Sequence, residues 1–266
     1  MFALTLFAGA AMAEEPSFEG SEEAGQTFEE TETTLSAELG GAIAGGNTQF
    51  WTVNAFAVAG HKFDRNKLGA ELGANFGKSI VDADGDGILS APERDNGAQR
   101  TSQRGWAEGR YDRFLGERDS VYALVGGLHD EFAGYDLRTH EQVGYSRILV
   151  DSDTTGLVTE IGADLAQENY VAGVDPANAM ILAGRAMVSF TQSLADNVAF
   201  SDTVEVYENV LDFQDLRLLN EAALTTKLSD MFSLKLSHQL IFDNVPVAGF
   251  QKTDHLGLVT LVASIL

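Results

Sequence analysis

The sequence predicts an all-β protein, an antiparallel transmembrane β-barrel of about twelve strands. Three observations predict it. Apolar and polar residues alternate with a period of two from Thr33 to the last residue, the alternating segments are long, and short and longer connections follow one another along the chain.

The clearest segment is 232–243. Phe232, Leu234, Leu236, His238, Leu240 and Phe242 fall on one face, and Ser233, Lys235, Ser237, Gln239 and Asp243 fall on the other. Successive side chains of a strand point to opposite sides, so this segment has one greasy and one wet face. Residues 67–77 repeat the scheme: Leu68, Ala70, Leu72, Ala74 and Phe76 alternate with Lys67, Glu71 and Asn75. Residues 179–192 set Met180, Leu182, Ala186, Val188 and Phe190 against Arg185, Ser189 and Thr191. Weaker versions at 33–45, 48–63, 101–115, 120–132, 137–149, 155–170, 197–209, 216–228 and 254–266 complete the twelve.

A soluble antiparallel sheet also alternates, so period alone does not decide the class. Length does more, because soluble strands cluster near ~5–6 residues and these run to ten or more. Short polar turns fall around 64–66, 116–119, 151–153, 195–197 and 229–231, with mostly longer links around 81–100, 131–136, 171–178, 209–215 and 244–253. Tight turns at one end and longer loops at the other are the pattern of an outer-membrane barrel. Phe232 and Phe242 bracket their apolar face. At ~3.3 Å per residue and a tilt of ~40°, that spacing spans about 25 Å, the height of a lipid-facing band. Hydrocarbon offers no hydrogen bonds, so the sheet must close on itself. An even strand count then puts both termini and the short turns in the periplasm.

The barrel is expected over 33–266. Ahead of it, Phe2 to Ala10 form a short apolar stretch and Ala11-Met12-Ala13 a small-x-small cleavage pattern, so 1–13 reads as a secretory signal lacking a basic n-region. Thirteen residues are too few to cross a bilayer as a helix. Residues 14–32 carry eight glutamates and no lysine or arginine, the composition of a disordered periplasmic lead-in. The chain has 17 basic and 40 acidic side chains, a net charge of −23. That repels nucleic-acid phosphates and favours divalent cations. With no cysteine there is neither a disulfide framework nor a thiolate metal site. The expected surroundings are outer-membrane lipid and lipopolysaccharide, reached through the barrel-assembly machinery.

The chain resembles the salt-induced outer-membrane protein family (YdiY-like), a family of unknown biochemical function. The resemblance rests on Gly46-Asn47-Thr48, on Asp130-Glu131-Phe132-Ala133-Gly134-Tyr135-Asp136-Leu137-Arg138, and on the segment from Asn209 to Asp254. The last contains Asp215-Leu216-Arg217, Asn244-Val245-Pro246 and Lys252-Thr253-Asp254. It implies a barrel in the cell outer membrane over about 33–266 and carries no catalytic assignment. Members tend to end in an aromatic residue, whereas this chain ends in Ile265-Leu266.

One segment carries explicit chemistry. Residues 82–93 match the twelve-residue EF-hand loop at its diagnostic positions, independently of the family resemblance. Asp82, Asp84 and Asp86 supply carboxylates at positions 1, 3 and 5, and Gly87 permits the sharp turn. Ile88 offers its carbonyl, Ser90 its hydroxyl, and Glu93 both carboxylate oxygens. Calcium wants 6–8 oxygens, which this set provides. No incoming helix precedes Asp82, so the expectation is a structural calcium site of extracellular type, with Kd in the ~10⁻⁴–10⁻³ M range. The ion would also neutralise Asp95. The competing account is an acidic loop with accidental spacing.

Catalysis is not expected. His61, His129, His140, His238 and His255 are scattered and none sits in a nucleophile elbow. Glu71, Arg110, Glu160, Arg185, Glu221 and Lys235 fall on the wet face and suit an interior salt-bridge network. Three readings follow: a non-enzymatic barrel with a structural or envelope-maintenance role, a narrow passive pore, and a soluble secreted calcium-binding β protein.

Overall fold

The computed structural model describes residues 31–44, 49–80 and 89–265. The expected signal segment and nearly all of the acidic lead-in lie outside the described residues. The described chain forms twelve strands: β1 (Glu32–Ala44), β2 (Phe50–Phe63), β3 (Asn66–Ser79), β4 (Gln99–Phe114), β5 (Asp119–Asp130), β6 (Tyr135–Asp151), β7 (Thr155–Tyr170), β8 (Asn178–Ala195), β9 (Val198–Asn209), β10 (Leu216–Lys227), β11 (Phe232–Asp243) and β12 (Thr253–Ser264). Each pairs antiparallel with its sequence neighbours, and β12 returns to β1 to close the barrel. A five-residue helix, α1 (Ala91–Asp95), lies between β3 and β4. It is far too short to cross a membrane.

The alternation sorts inside from outside. On β11, Leu234 and Leu236 are exposed while Ser237 and Gln239 are buried. On β3, Leu68 and Leu72 are exposed while Lys67, Glu71 and Asn75 are buried. A water-soluble sheet would do the reverse. An apolar exterior around a polar, enclosed lumen is the arrangement that hydrocarbon requires.

The connections obey the same division. At the end that carries both termini the chain turns tightly, as between Phe63 and Asn66, where Asp64 has φ 49°. Aspartate is among the few non-glycine residues that tolerate this left-handed region. At the far end lie 131–134, 171–177, 210–215 and 244–252, and the ends of β1, β2, β3 and β4 that lead into the β1–β2 and β3–β4 connections are at the same end.

Glycines let large side chains lie flat against the lumen wall. The Tyr122 ring covers the facing pair Gly144 and Gly162, and Trp106 lies against Gly73. A Cβ at Gly73 would come within 2.0 Å of the Trp106 ring.

Closure is uneven. The β1–β2 ladder runs from Glu32↔Lys62 to Ala44↔Phe50. The β1–β12 ladder runs only from Ser36↔Ser264 to Gly40↔Thr260.

Because Leu236 meets lipid, Leu236→Arg is expected to destabilise the barrel by about 2–4 kcal/mol, the cost of a cation near the bilayer midplane. Urea unfolding in phospholipid vesicles measures it. A change near zero would mean that Leu236 faces water.

Candidate functional site

The lumen is the site, and its side chains form layers. Near the termini, Phe114, Ile148 and Val158 make a small apolar cluster. Above it sits a charged core. Arg110 holds Asp112 through Nε and Nη2 at 2.9 and 2.8 Å. It reaches from β4 to β7 to bind both oxygens of Glu160 at 2.7 and 3.2 Å. Arg185 on β8 donates to Glu160 at 2.7 Å, to Glu205 at 3.0 Å and to the Tyr122 hydroxyl on β5 at 2.8 Å. The Arg110 guanidinium lies 4.1 Å from the Tyr122 ring centroid. The side chains of Arg110, Asp112 and Glu160 have no exposed surface. Arginine suits this place because its planar fork satisfies two carboxylates at once.

Next comes His140, with Nε2 2.9 Å from Glu108 and Nδ1 3.4 Å from Asp164. At the far mouth Arg217 bonds Glu168 at 2.6 Å and lies 3.3 Å from Asp215 and 3.4 Å from Asp243. Arg138 approaches Glu168 at 3.4 Å. The Tyr170 hydroxyl donates to the other oxygen of Glu168 at 2.6 Å.

A lid of chain closes this mouth. From the β11–β12 connection, Val247 packs with Leu128, Ala133 and Tyr135, joined by Trp106, Tyr170 and Phe250. Gly134 lies beneath them with φ 90°, and a Cβ there would meet the Phe250 ring at 2.8 Å and Val247 at 2.9 Å. Both the backbone and the space demand glycine. Asp130 shapes the same turn by accepting the N–H groups of Phe132 and Ala133 at 3.0 Å. Beneath the lid is a cavity of about 50 Å³, lined in part by Tyr135, Arg138, Arg217, Ile241 and Asp243. That is room for a few waters. The motif segments 130–138, 215–217 and 244–254 therefore meet at one place, although they are far apart in the chain.

The opposite wall is wetter. Lys235 bonds Glu221 at 2.8 Å and approaches Glu38 at 3.6 Å, with these side chains 16–23% exposed. Thr260 donates to Glu38, and Gln239 to Glu221.

Of the sequence-predicted calcium ligands, Asp82, Asp84, Asp86 and Ile88 lie outside the described residues. Ser90 and Glu93 are brought together. Ser90 caps α1, and both its N–H and its hydroxyl donate to the Glu93 carboxylate at 2.8 Å. Pro92 occupies the first helical turn, where its missing N–H costs nothing. The helix thus begins inside the twelve-residue loop.

Two histidine placements were not legible in the sequence. His140 reads as one of five scattered histidines, yet it is buried between two carboxylates. His238 and His255, on the lipid-facing side of β11 and β12, approach to 3.3 Å. Only the β11–β12 register could have revealed that pair.

Fold and lumen together define a twelve-stranded transmembrane barrel with a charged interior. The chain belongs to the family described as protein of unknown function, DUF481, whose model matches residues 37–265. It is 25% identical over 148 residues to the uncharacterized protein YdiY of Escherichia coli (strain K12), covering 56% of each chain. The chain thus spans about half the length of that curated relative. Among solved structures it is similar in fold to the NanC porin, with a TM-score of 0.54 and 11% identity over 87% of this chain and 100% of that one.

Glu160→Ala would leave Arg110 and Arg185 buried without the carboxylate they share. A loss of about 3–5 kcal/mol is expected, as for one partner removed from a buried pair. Lys227→Ala, which breaks an exposed pair with Asp230, is expected to cost less than about 1 kcal/mol. Guanidinium unfolding of the two variants in detergent compares them, and equal effects would mean that the lumen is not dry.

Proposed function

We propose that this protein is a non-enzymatic barrel of the cell outer membrane with a structural or envelope-maintenance role, plugged by its own ionic core. One observation carries the reading: Arg110, Asp112, Glu160 and Arg185 fill the waist with side chains that span from strand to distant strand and have almost no exposed surface. Groups committed to mutual neutralisation leave no charge for a solute. The buried His140 supports the non-enzymatic part, since its Nε2 lies against Glu108 and its Nδ1 near Asp164 and Gln142, an arrangement that ties the ring into the ionic core. The soluble reading is disfavoured by the exposed leucines of β3 and β11. A Gram-negative outer membrane accommodates such barrels.

The narrow pore remains a second reading because of the partly exposed Lys235–Glu38–Glu221 wall, where water reaches the lumen. Planar-bilayer recording separates the two. The plugged barrel is expected to conduct no resolvable steps, and the double variant Arg110→Ala/Glu160→Ala to open one. Stable unitary conductance in the unmodified protein would favour the pore.

We further propose that residues 82–93 bind calcium as a structural ion at the outward end. Asp82, Asp84, Asp86, the Ile88 carbonyl, Ser90 and Glu93 would hold it, and the adjacency of Ser90 and Glu93 supports the pairing of the last two. The ion would neutralise clustered acids and order the connection; it would also draw Glu93 away from Ser90. Calorimetry on the folded barrel is expected to give a Kd of ~10⁻⁴–10⁻³ M, weakened at least tenfold by Glu93→Gln. Absence of heat in the unmodified protein would remove the site.

A further inference from the structure

The outer half of the β1–β12 seam is unlike the rest of the wall. Antiparallel pairing stops at Gly40↔Thr260, although β1 continues to Ala44 and β12 begins at Thr253. Continued register would match Ile43 with Gly257, and no such pairing exists among the described residues. Backbone groups left unpaired in hydrocarbon are costly, so a gap in the ladder at this depth calls for something to fill it. Ile43, just beyond the last pair, is 86% exposed.

The strands beside the gap carry apolar residues on their inner face. Thr260 reaches Glu38 and Gln239 reaches Glu221, which sets these residues in the lumen. By alternation Ile241, Leu256 and Leu258 face inward too, making an apolar strip on the inner wall beside the gap. It adjoins the cavity that Ile241 and Phe250 line. On the lipid side of the same strands stand His238 and His255, with Asn220 and Asp202 farther along the wall, hydrogen-bonded at 2.6 Å. Polar side chains on a lipid-facing surface are expensive and mark function.

We propose that this gap is a lateral opening through which a single-chain amphiphile from the surrounding membrane inserts its hydrocarbon tail into the lumen. The tail lies along Ile241, Leu256 and Leu258, displacing Phe250 from the cavity. The acidic head stays at the gap, where the ring that accepts in the His238–His255 hydrogen bond keeps its own N–H to donate to it. The gap explains how such a ligand enters a barrel whose far mouth is lidded, and the inward leucines explain what the tail meets. The proposal rests on the membrane residence argued above. Sedimentation with outer membranes tests that residence separately from the experiment below.

The chain has two tryptophans, Trp51 on the lipid side of β2 and Trp106 in the lumen beside the lid cluster. A Trp51→Phe variant leaves Trp106 as the only reporter. A saturated fatty acid brominated at its terminal carbon, added to this variant folded in detergent, is expected to quench most of the Trp106 emission. Ile43→Cys with Gly257→Cys, joined by a short bifunctional thiol reagent, closes the gap in a chain with no other cysteine; the space around Gly257 is open. Quenching should be lost after joining and kept in the same variant left unjoined. His238→Ala/His255→Ala should raise the fatty-acid concentration needed for half-quenching several-fold. Failure of the fatty acid to quench Trp106, or equal quenching in the joined and unjoined proteins, would overturn the proposal.

Discussion

Hydrocarbon neither donates nor accepts a hydrogen bond, and the rest of this structure follows from that. A chain that crosses the bilayer as strands must pair every backbone group with another strand, so the sheet closes. Closure creates an inside. The outward face must be apolar, which drives the polar half of every strand into an enclosed space of limited volume. The many buried polar side chains then need partners there, because an unpaired charge in a low-dielectric cavity costs several kcal/mol. The Arg110–Glu160–Arg185 bridge is the result.

That origin makes the charged core a consequence of topology before it is a device. Arg110 on β4 reaches Glu160 on β7, and Arg217 on β10 reaches Glu168 on β7, while Arg185 and Arg138 bind the same two carboxylates from the adjoining strands β8 and β6. Such bridges resist shear between distant parts of the wall, which strand ladders alone cannot do. They also fill space, helped by glycines that let Tyr122, His140 and Trp106 lie against the backbone. Stability and occlusion come from the same atoms. The two places where this scheme relaxes are the wetter wall at Lys235 and the outer part of the β1–β12 seam.

The acidic segment at 82–93 stands outside this scheme. It falls in the sequence between β3 and β4, and its described end, 89–93, holds Glu93 against Ser90, whereas lumen carboxylates such as Glu160 and Glu168 are held by arginines. Ser90 and Glu93 are held by a helix cap, a local interaction that needs nothing from the barrel.

The sequence by itself determined the class, the number of strands and their limits to within a few residues, because period-two patterning and turn composition are local. The segment 232–243 was legible to the residue. The family resemblance also placed Gly134 in a distinctive motif. Only the tertiary structure decided which lumen charges meet. Arg110 and Glu160 are fifty positions apart, and their contact depends on strand tilt and register summed around a closed sheet, which no local pattern encodes. For the same reason the His238–His255 pair, the lid of Val247 and Phe250 over Gly134, and the short β1–β12 ladder became visible only once the first and last strands had come together.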